Sequence, residues 1–136
     1  MILCDTGPLV ALLDRDDAHH ARCSNALGNL PPTQLLTTWP CLTEGMYLLG
    51  RIGGLRAQNA LWDLIADGLV VVDPPDPSAM ERMRALMATY ADSPMDFADA
   101  SLVVLAEARS ITTIFSLDRH FRGYRTRDGQ AFTLVP

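Results

Sequence analysis

Five short runs, Met1–Asp5, Gln34–Thr38, Leu69–Val72, Thr112–Phe115 and Phe132–Val135, are apolar or β-branched along nearly their whole length. Stretches with helical periodicity separate most of them. A strand that is apolar on both faces must be covered on both, and strands joined through helices run parallel. The pattern therefore predicts an α/β fold, a three-layer α/β/α sandwich around a central, mostly parallel sheet with right-handed crossovers. Ligands of such sheets bind beyond the carboxyl ends of the strands, so residues just past each run are the first candidates for function.

Local signals fill in the order. Thr6-Gly7-Pro8 marks a turn and cap after the first strand, and Pro8 suits the first turn of a helix carrying Leu9, Val10, Leu12 and Leu13. A second helix is expected over Asp17–Leu27, capped by Asp16 or Asp17 and stopped at Gly28. Pro40 opens a third, with Leu42, Met46 and Leu49 at helical spacing, ending near Gly53-Gly54. Leu55–Ala66 forms a fourth, closing at Gly68. The proline-rich Asp73–Pro77 reads as a loop. Ser78–Tyr90 and Asp96–Arg109 read as amphipathic helices, and Asp118–Phe121 as a short turn or helix.

At 136 residues, 49% of them apolar and 20% charged, the chain has the size and composition of one domain, residues 1–136. No apolar run approaches the roughly 20 residues that span a bilayer, and Asp5 interrupts the N-terminal apolar run where a targeting segment would be uncharged. A soluble, cytoplasmic protein is the expectation. Cys4, Cys23 and Cys41 lack CxxC spacing and read as buried reduced thiols. His19 and His20, adjacent on a helix, point apart and read as surface residues. Met46, Tyr47, Trp62, Met80, Met83 and Met87 read mainly as packing, with a partner surface as the alternative.

All eleven cations are arginine. The absence of lysine excludes a Walker A phosphate loop, Schiff-base chemistry and a receiver-type phosphorylated aspartate. A net charge of −5 argues against a broadly basic nucleic-acid binder, yet Arg109, Arg119, Arg122, Arg125 and Arg127 crowd the last 28 residues beside His120.

Acids mark the strand ends. Asp5 closes the first run, Asp118 follows the fourth by three residues, and Glu44 lies one turn inside the helix after the second. Asp96 and Asp99 share a helix face after Pro94. Taken alone, Asp5 and Asp96 read equally as helix caps and Asp118 as a turn residue. Glu44 stands among Leu42, Met46 and Leu49, which point towards a core, where acids are seldom buried unpaired. Gathered at one sheet edge, such carboxylates would repel one another unless a hard divalent ion such as Mg²⁺ or Mn²⁺ neutralised them.

These segments carry a resemblance. Leu3-Cys4-Asp5-Thr6-Gly7-Pro8 at the start, Leu42-Thr43-Glu44, Met95-Asp96-Phe97-Ala98-Asp99-Ala100, and Ser116-Leu117-Asp118-Arg119-His120-Phe121 together resemble the PIN-domain nucleases, and among them the VapC-like toxins of type II toxin–antitoxin modules. The resemblance implies an endoribonuclease with its acidic quartet at Asp5, Glu44, Asp99 and Asp118. It implies Mg²⁺ or Mn²⁺ held by Asp5, Asp99 and Asp118 with Asp96 assisting, and Thr6 and Ser116 supporting the site. RNA as substrate, a cognate antitoxin and a homodimer are implied as partners.

Arg119 and Arg122 are candidate RNA contacts, with Phe121 or Tyr124 available for stacking; solvated arginines around a core Phe121 are the alternative. Two other function classes remain at this point. A haloacid-dehalogenase-type phosphatase would need an acid where Gly7 stands and a lysine. A regulatory module would use the acids only to receive an antitoxin arginine.

Overall fold

The computed structural model describes residues Met1–Pro136. Five strands form one sheet: β1 (Ile2–Cys4), β2 (Leu35–Thr37), β3 (Val70–Val72), β4 (Thr113–Phe115) and β5 (Thr133–Val135), in the order β3-β2-β1-β4-β5 and all parallel. Alternation along the strands divides the core. Leu3, Leu36 and Ile114 point to one face, where Met83, Leu86 and the apolar side of Ala98–Ala106 cover them. Ile2, Cys4, Leu35, Val70 and Phe115 point to the other, against Leu9, Val10, Leu42, Leu49 and Leu61. The three predicted layers are therefore present, with β1 central.

The helices are α1 (Thr6–Leu13), α2 (His20–Asn29), α3 (Trp39–Ala66), α4 (Met80–Thr89) and α5 (Phe97–Arg109). Short 3₁₀ turns precede α4 at Pro77–Ala79 and follow β4 at Arg119–Arg122. No helix is long and apolar enough to cross a membrane.

Three local expectations are corrected. The second helix begins at His20 rather than Asp17, because Asp14 and Asp17 each accept the backbone N–H two residues on, at 3.1 and 2.8 Å, holding the chain in successive turns. Gly28 lies inside that helix, which ends before Pro31-Pro32. Thr38, assigned to the second strand by its sequence, instead caps α3 by accepting from the Cys41 N–H. His20 is half-buried, its Nδ1 2.7 Å from the Ala11 carbonyl oxygen. Cys4, Cys23 and Cys41 are buried free thiols.

The two helices expected on either side of Gly53-Gly54 are two arms of α3, broken at Gly54 with φ 62° and ψ −153°. The second arm folds back on the first: Gln58 Nε2 donates to the Met46 carbonyl at 3.0 Å, and Leu61 packs against Gly45. That backbone conformation is open essentially to glycine alone, so Gly54→Ala should cost about 1–3 kcal/mol, read as a lower midpoint in urea. An unchanged midpoint would show that the bend is not fixed at this residue.

Of the apolar residues read mainly as packing, Met83 is buried and Met46 half-buried. Tyr47, Trp62, Met80 and Met87 are instead exposed, and Leu48, Ile52 and Leu55 join Tyr47 and Trp62 in an uncovered apolar surface along α3.

Candidate active site

Parallel strands release the chain at one edge, and the acids expected there arrive by three capped turns. Asp5 leaves β1 and caps α1, its Oδ1 accepting the Thr6 N–H at 2.7 Å. Asp118 leaves β4 and caps the following 3₁₀ turn. Asp96 caps α5 in a reciprocal box with Asp99: Asp96 Oδ1 accepts the Asp99 N–H at 2.8 Å and Asp99 Oδ2 accepts the Asp96 N–H at 3.1 Å. The capping and site readings thus coexist, because a cap needs only one carboxylate oxygen. Asp96, Asp99 and Asp118 each keep the other oxygen free of protein hydrogen bonds.

Two hydroxyls join the acids. Ser116 Oγ donates to Asp5 Oδ2 at 2.8 Å and accepts the Asp118 N–H at 3.0 Å. Thr6 Oγ1 donates to Glu44 Oε2 at 2.8 Å, linking α1 to α3. Asp5 is therefore the hub. The site is graded in depth: Asp5 and Asp99 are buried, Asp118 is half-buried, and Asp96 and Glu44 lie exposed at the rim. The core-facing direction expected of Glu44 is not found. Cys41, Leu42, Gly45 and Leu49 form the buried side of α3, and Glu44 stands beside it.

Burial is the first cause of the raised pKa at Asp5; the Ser116 and Thr6 hydrogen bonds oppose it, and the charges of Asp118 and Glu44 add to it. Burial likewise pushes Asp99 up to about 7, opposed by the Asp96 N–H and reinforced by Asp96, Asp5 and Asp118. No arginine forms an ion pair with any of the five acids; the arginine ion pairs are Arg82–Glu107 and Arg109–Asp73. The one basic partner is His120, whose Nδ1 stands 2.7 Å from Asp118 Oδ1.

Several site features escaped the sequence reading. The sequence marks His120 only for its charge, whereas Asp118 Oδ1 accepts the His120 N–H at 2.9 Å and this Asx turn brings the ring beside the carboxylate. Cys41 lies with Sγ 3.9 Å from Asp5 Oδ1, its thiol pushed up to about 12 by burial and then by Asp5. The stacking role considered for Phe121 and Tyr124 is corrected: both are fully buried and meet edge to face at 5.1 Å. Arg125 donates to the Arg122 and Tyr124 carbonyls and Arg109 pairs with Asp73, so the crowded C-terminal arginines do not form one free basic face. Arg119 and Arg122 do remain exposed and unpaired beside Asp118.

The PIN domain family model matches residues 2–126, a span holding every acid of the cluster. The chain belongs to the PIN-domain family. Membership removes the haloacid-dehalogenase alternative, already at odds with Gly7. This PIN domain is 28% identical to Ribonuclease VapC26 of Mycobacterium tuberculosis over 136 residues, 99% of this chain and all of that one. Among solved structures it resembles M. tuberculosis VapC20, described as a sarcin–ricin-loop-cleaving toxin. There the TM-score is 0.79 at 23% identity, over 87% of this chain and 90% of the other. It also resembles a chain of Rickettsia felis VapBC2, solved bound to a DNA fragment from their promoter, at a TM-score of 0.66 and 11% identity over the full length of both.

The donors of the PIN-domain cluster are carboxylate oxygens, the chemistry that hard divalent ions prefer. No three acidic, histidine or cysteine side chains stand close enough to enclose an ion by themselves. Such donors fit a hard divalent ion that takes few direct protein ligands and keeps part of its water.

Proposed function

We propose that this PIN domain, residues 1–136 as one unit, is a metal-dependent endoribonuclease and the toxin of a type II toxin–antitoxin pair. The observation that carries the reading is the buried pair Asp5 and Asp99, which lie with Asp118 and Glu44 past the carboxyl ends of the strands and near the starts of the helices and have no arginine to neutralise them. Burying acids without a cation is costly, and a protein keeps such a site where a ligand supplies the charge. The similarity to a ribonuclease over nearly the whole chain supports the activity. Likeness to a chain of a VapBC pair, and the uncovered apolar surface at Tyr47, Leu48, Ile52, Leu55 and Trp62, support a protein partner; an antitoxin and a second copy are both in keeping with it.

Asp5, Asp99 and Asp118 would hold Mg²⁺ or Mn²⁺ directly or through its water, with Asp96 assisting at the rim. When bound, the ion supplies positive charge at the scissile phosphate and acidifies water as the nucleophile. Thr6 orients Glu44, whose free oxygen would orient the attacking water or complete a second ion site. Ser116 holds the Asp5 carboxylate and fixes the turn that presents Asp118. His120 restrains the Asp118 carboxylate from outside. Arg119 and Arg122 would hold the RNA backbone at the rim.

Incubating partner-free protein with cellular RNA, with and without Mn²⁺, tests the reading: discrete new ends appear only with the ion. RNA left intact under both conditions rejects it. For the arginines, reversing both charges in Arg119→Glu/Arg122→Glu should weaken RNA binding. It should also reduce the slope of log K against log salt by about 2, one phosphate contact per arginine. An unaltered slope assigns both side chains to solvent.

A further inference from the structure

Two buried hydroxyls that the acidic reading does not use join the helices carrying the site. Thr38, the cap of α3, and Ser101, in the second turn of α5, are both buried, with their oxygens 2.7 Å apart. Proton directions follow from the remaining partners. Ser101 Oγ lies 2.6 Å from the Ala98 carbonyl oxygen, which can only accept, so the Ser101 proton is committed there. Thr38 must then donate to Ser101, while its oxygen accepts the Cys41 N–H at 3.4 Å. The result is one directed chain from the Cys41 N–H through Thr38 and Ser101 to the Ala98 carbonyl. At one end, Cys41 and Glu44 lie one turn apart on α3, and Thr6 Oγ1, whose proton goes to Glu44, stands 3.3 Å from the Cys41 carbonyl oxygen. At the other, Ala98 stands between Asp96 and Asp99.

We infer that Thr38 and Ser101 are positioning residues that set the gap between the Glu44 side and the Asp96–Asp99 side of the metal site. No other side-chain hydrogen bond links α3 to α5; Thr6 ties Glu44 to α1, and Ser116 ties Asp5 to the turn after β4. Losing a hydrogen bond made directly to a metal ligand typically weakens binding 10–100-fold, and a link that sets the spacing of the ligand-bearing helices from one step further out should fall at the low end of that range. The inference rests on the nuclease reading above for the metal, but not for the hydrogen-bond chain.

The test is Mn²⁺ affinity, read from the free-ion electron paramagnetic resonance signal on the full chain in the absence of RNA. Ser101→Ala and Thr38→Val should each weaken binding about 10-fold. Thr38→Ser, which keeps the hydroxyl, should stay within about twofold of wild type, and the double variant should be no worse than the poorer single one, as for members of one unit. Thermal midpoints measured alongside separate positioning from unfolding: a structural role alone would lower the midpoint without altering affinity at temperatures where the protein stays folded. Wild-type affinity in Ser101→Ala overturns the inference and leaves the nuclease reading standing. Failure of the wild type to bind Mn²⁺ overturns both.

Discussion

Asp99→Asn should lower RNA cleavage by about 10³-fold or more while leaving the protein folded. The substitution is nearly isosteric, and its carboxamide oxygen can still accept the Asp96 N–H that closes the capping box of α5. What it removes is a buried negative charge with no arginine partner. If that charge serves to hold a divalent ion against a phosphate, several kcal/mol of transition-state stabilisation go with it, and about 4 kcal/mol is a factor near 10³. Asp5→Asn should be as severe. It should also lose some stability, because Asp5 accepts from both Thr6 N–H and Ser116 Oγ and a carboxamide can satisfy only one of them as acceptor. Asp67→Asn, beyond the far end of α3, is the control and should cleave as wild type does. Cleavage by Asp99→Asn within tenfold of wild type would remove Asp99 from the catalytic machinery.

The layers and the parallel sheet follow from features plain in the sequence, since Ile2–Cys4, Leu35–Leu36 and Val70–Val72 are apolar on both faces and helices lie between them, whereas the strand order is seen only in the fold. Less legible was how each acid is used. Asp5, Asp96 and Asp118 sit at cap positions in the sequence, which invites a choice between cap and site, and only coordinates reveal that the second carboxylate oxygen stays free at Asp96 and Asp118 and goes to Ser116 at Asp5. The direction of Glu44 was misjudged from its neighbours alone. The apolar stripe of α3 runs through Cys41, Gly45 and Leu49, and Glu44 sits at its margin, where Thr6 rather than a core receives it. Contacts between residues far apart in the chain, such as Thr38 with Ser101, leave no periodic trace. A hydroxyl pair has no hydrophobic pattern to announce it.

Without divalent ion, the folded protein should be more stable near pH 5 than near pH 8, the reverse of what paired carboxylates give. The sign follows from linkage. Asp99 is raised from the ordinary 3.8 to about 7, first by burial, and Asp5 is raised for the same first reason. Between those limits the unfolded chain has released protons that the folded chain retains, so stability falls as pH rises from about 4 to about 7 and then levels. Solvent at the rim screens part of this, leaving a loss of order 2 kcal/mol, or roughly 5–10 °C in Tm. Mn²⁺ should restore the loss at pH 8, by about 2.7 kcal/mol at a hundredfold excess over its Kd, and should do little at pH 5, where it must displace protons. Asp99→Asn isolates the effect from the other titrating groups: in chelator its Tm should exceed that of wild type at pH 8 and match it near pH 4. Calorimetry in EDTA and in Mn²⁺ across this range checks each part. A wild-type Tm that climbs from pH 5 to pH 8 in chelator at least as steeply as that of Asp99→Asn would mean that these buried acids are already neutralised by the protein itself, leaving no charge for an ion to answer.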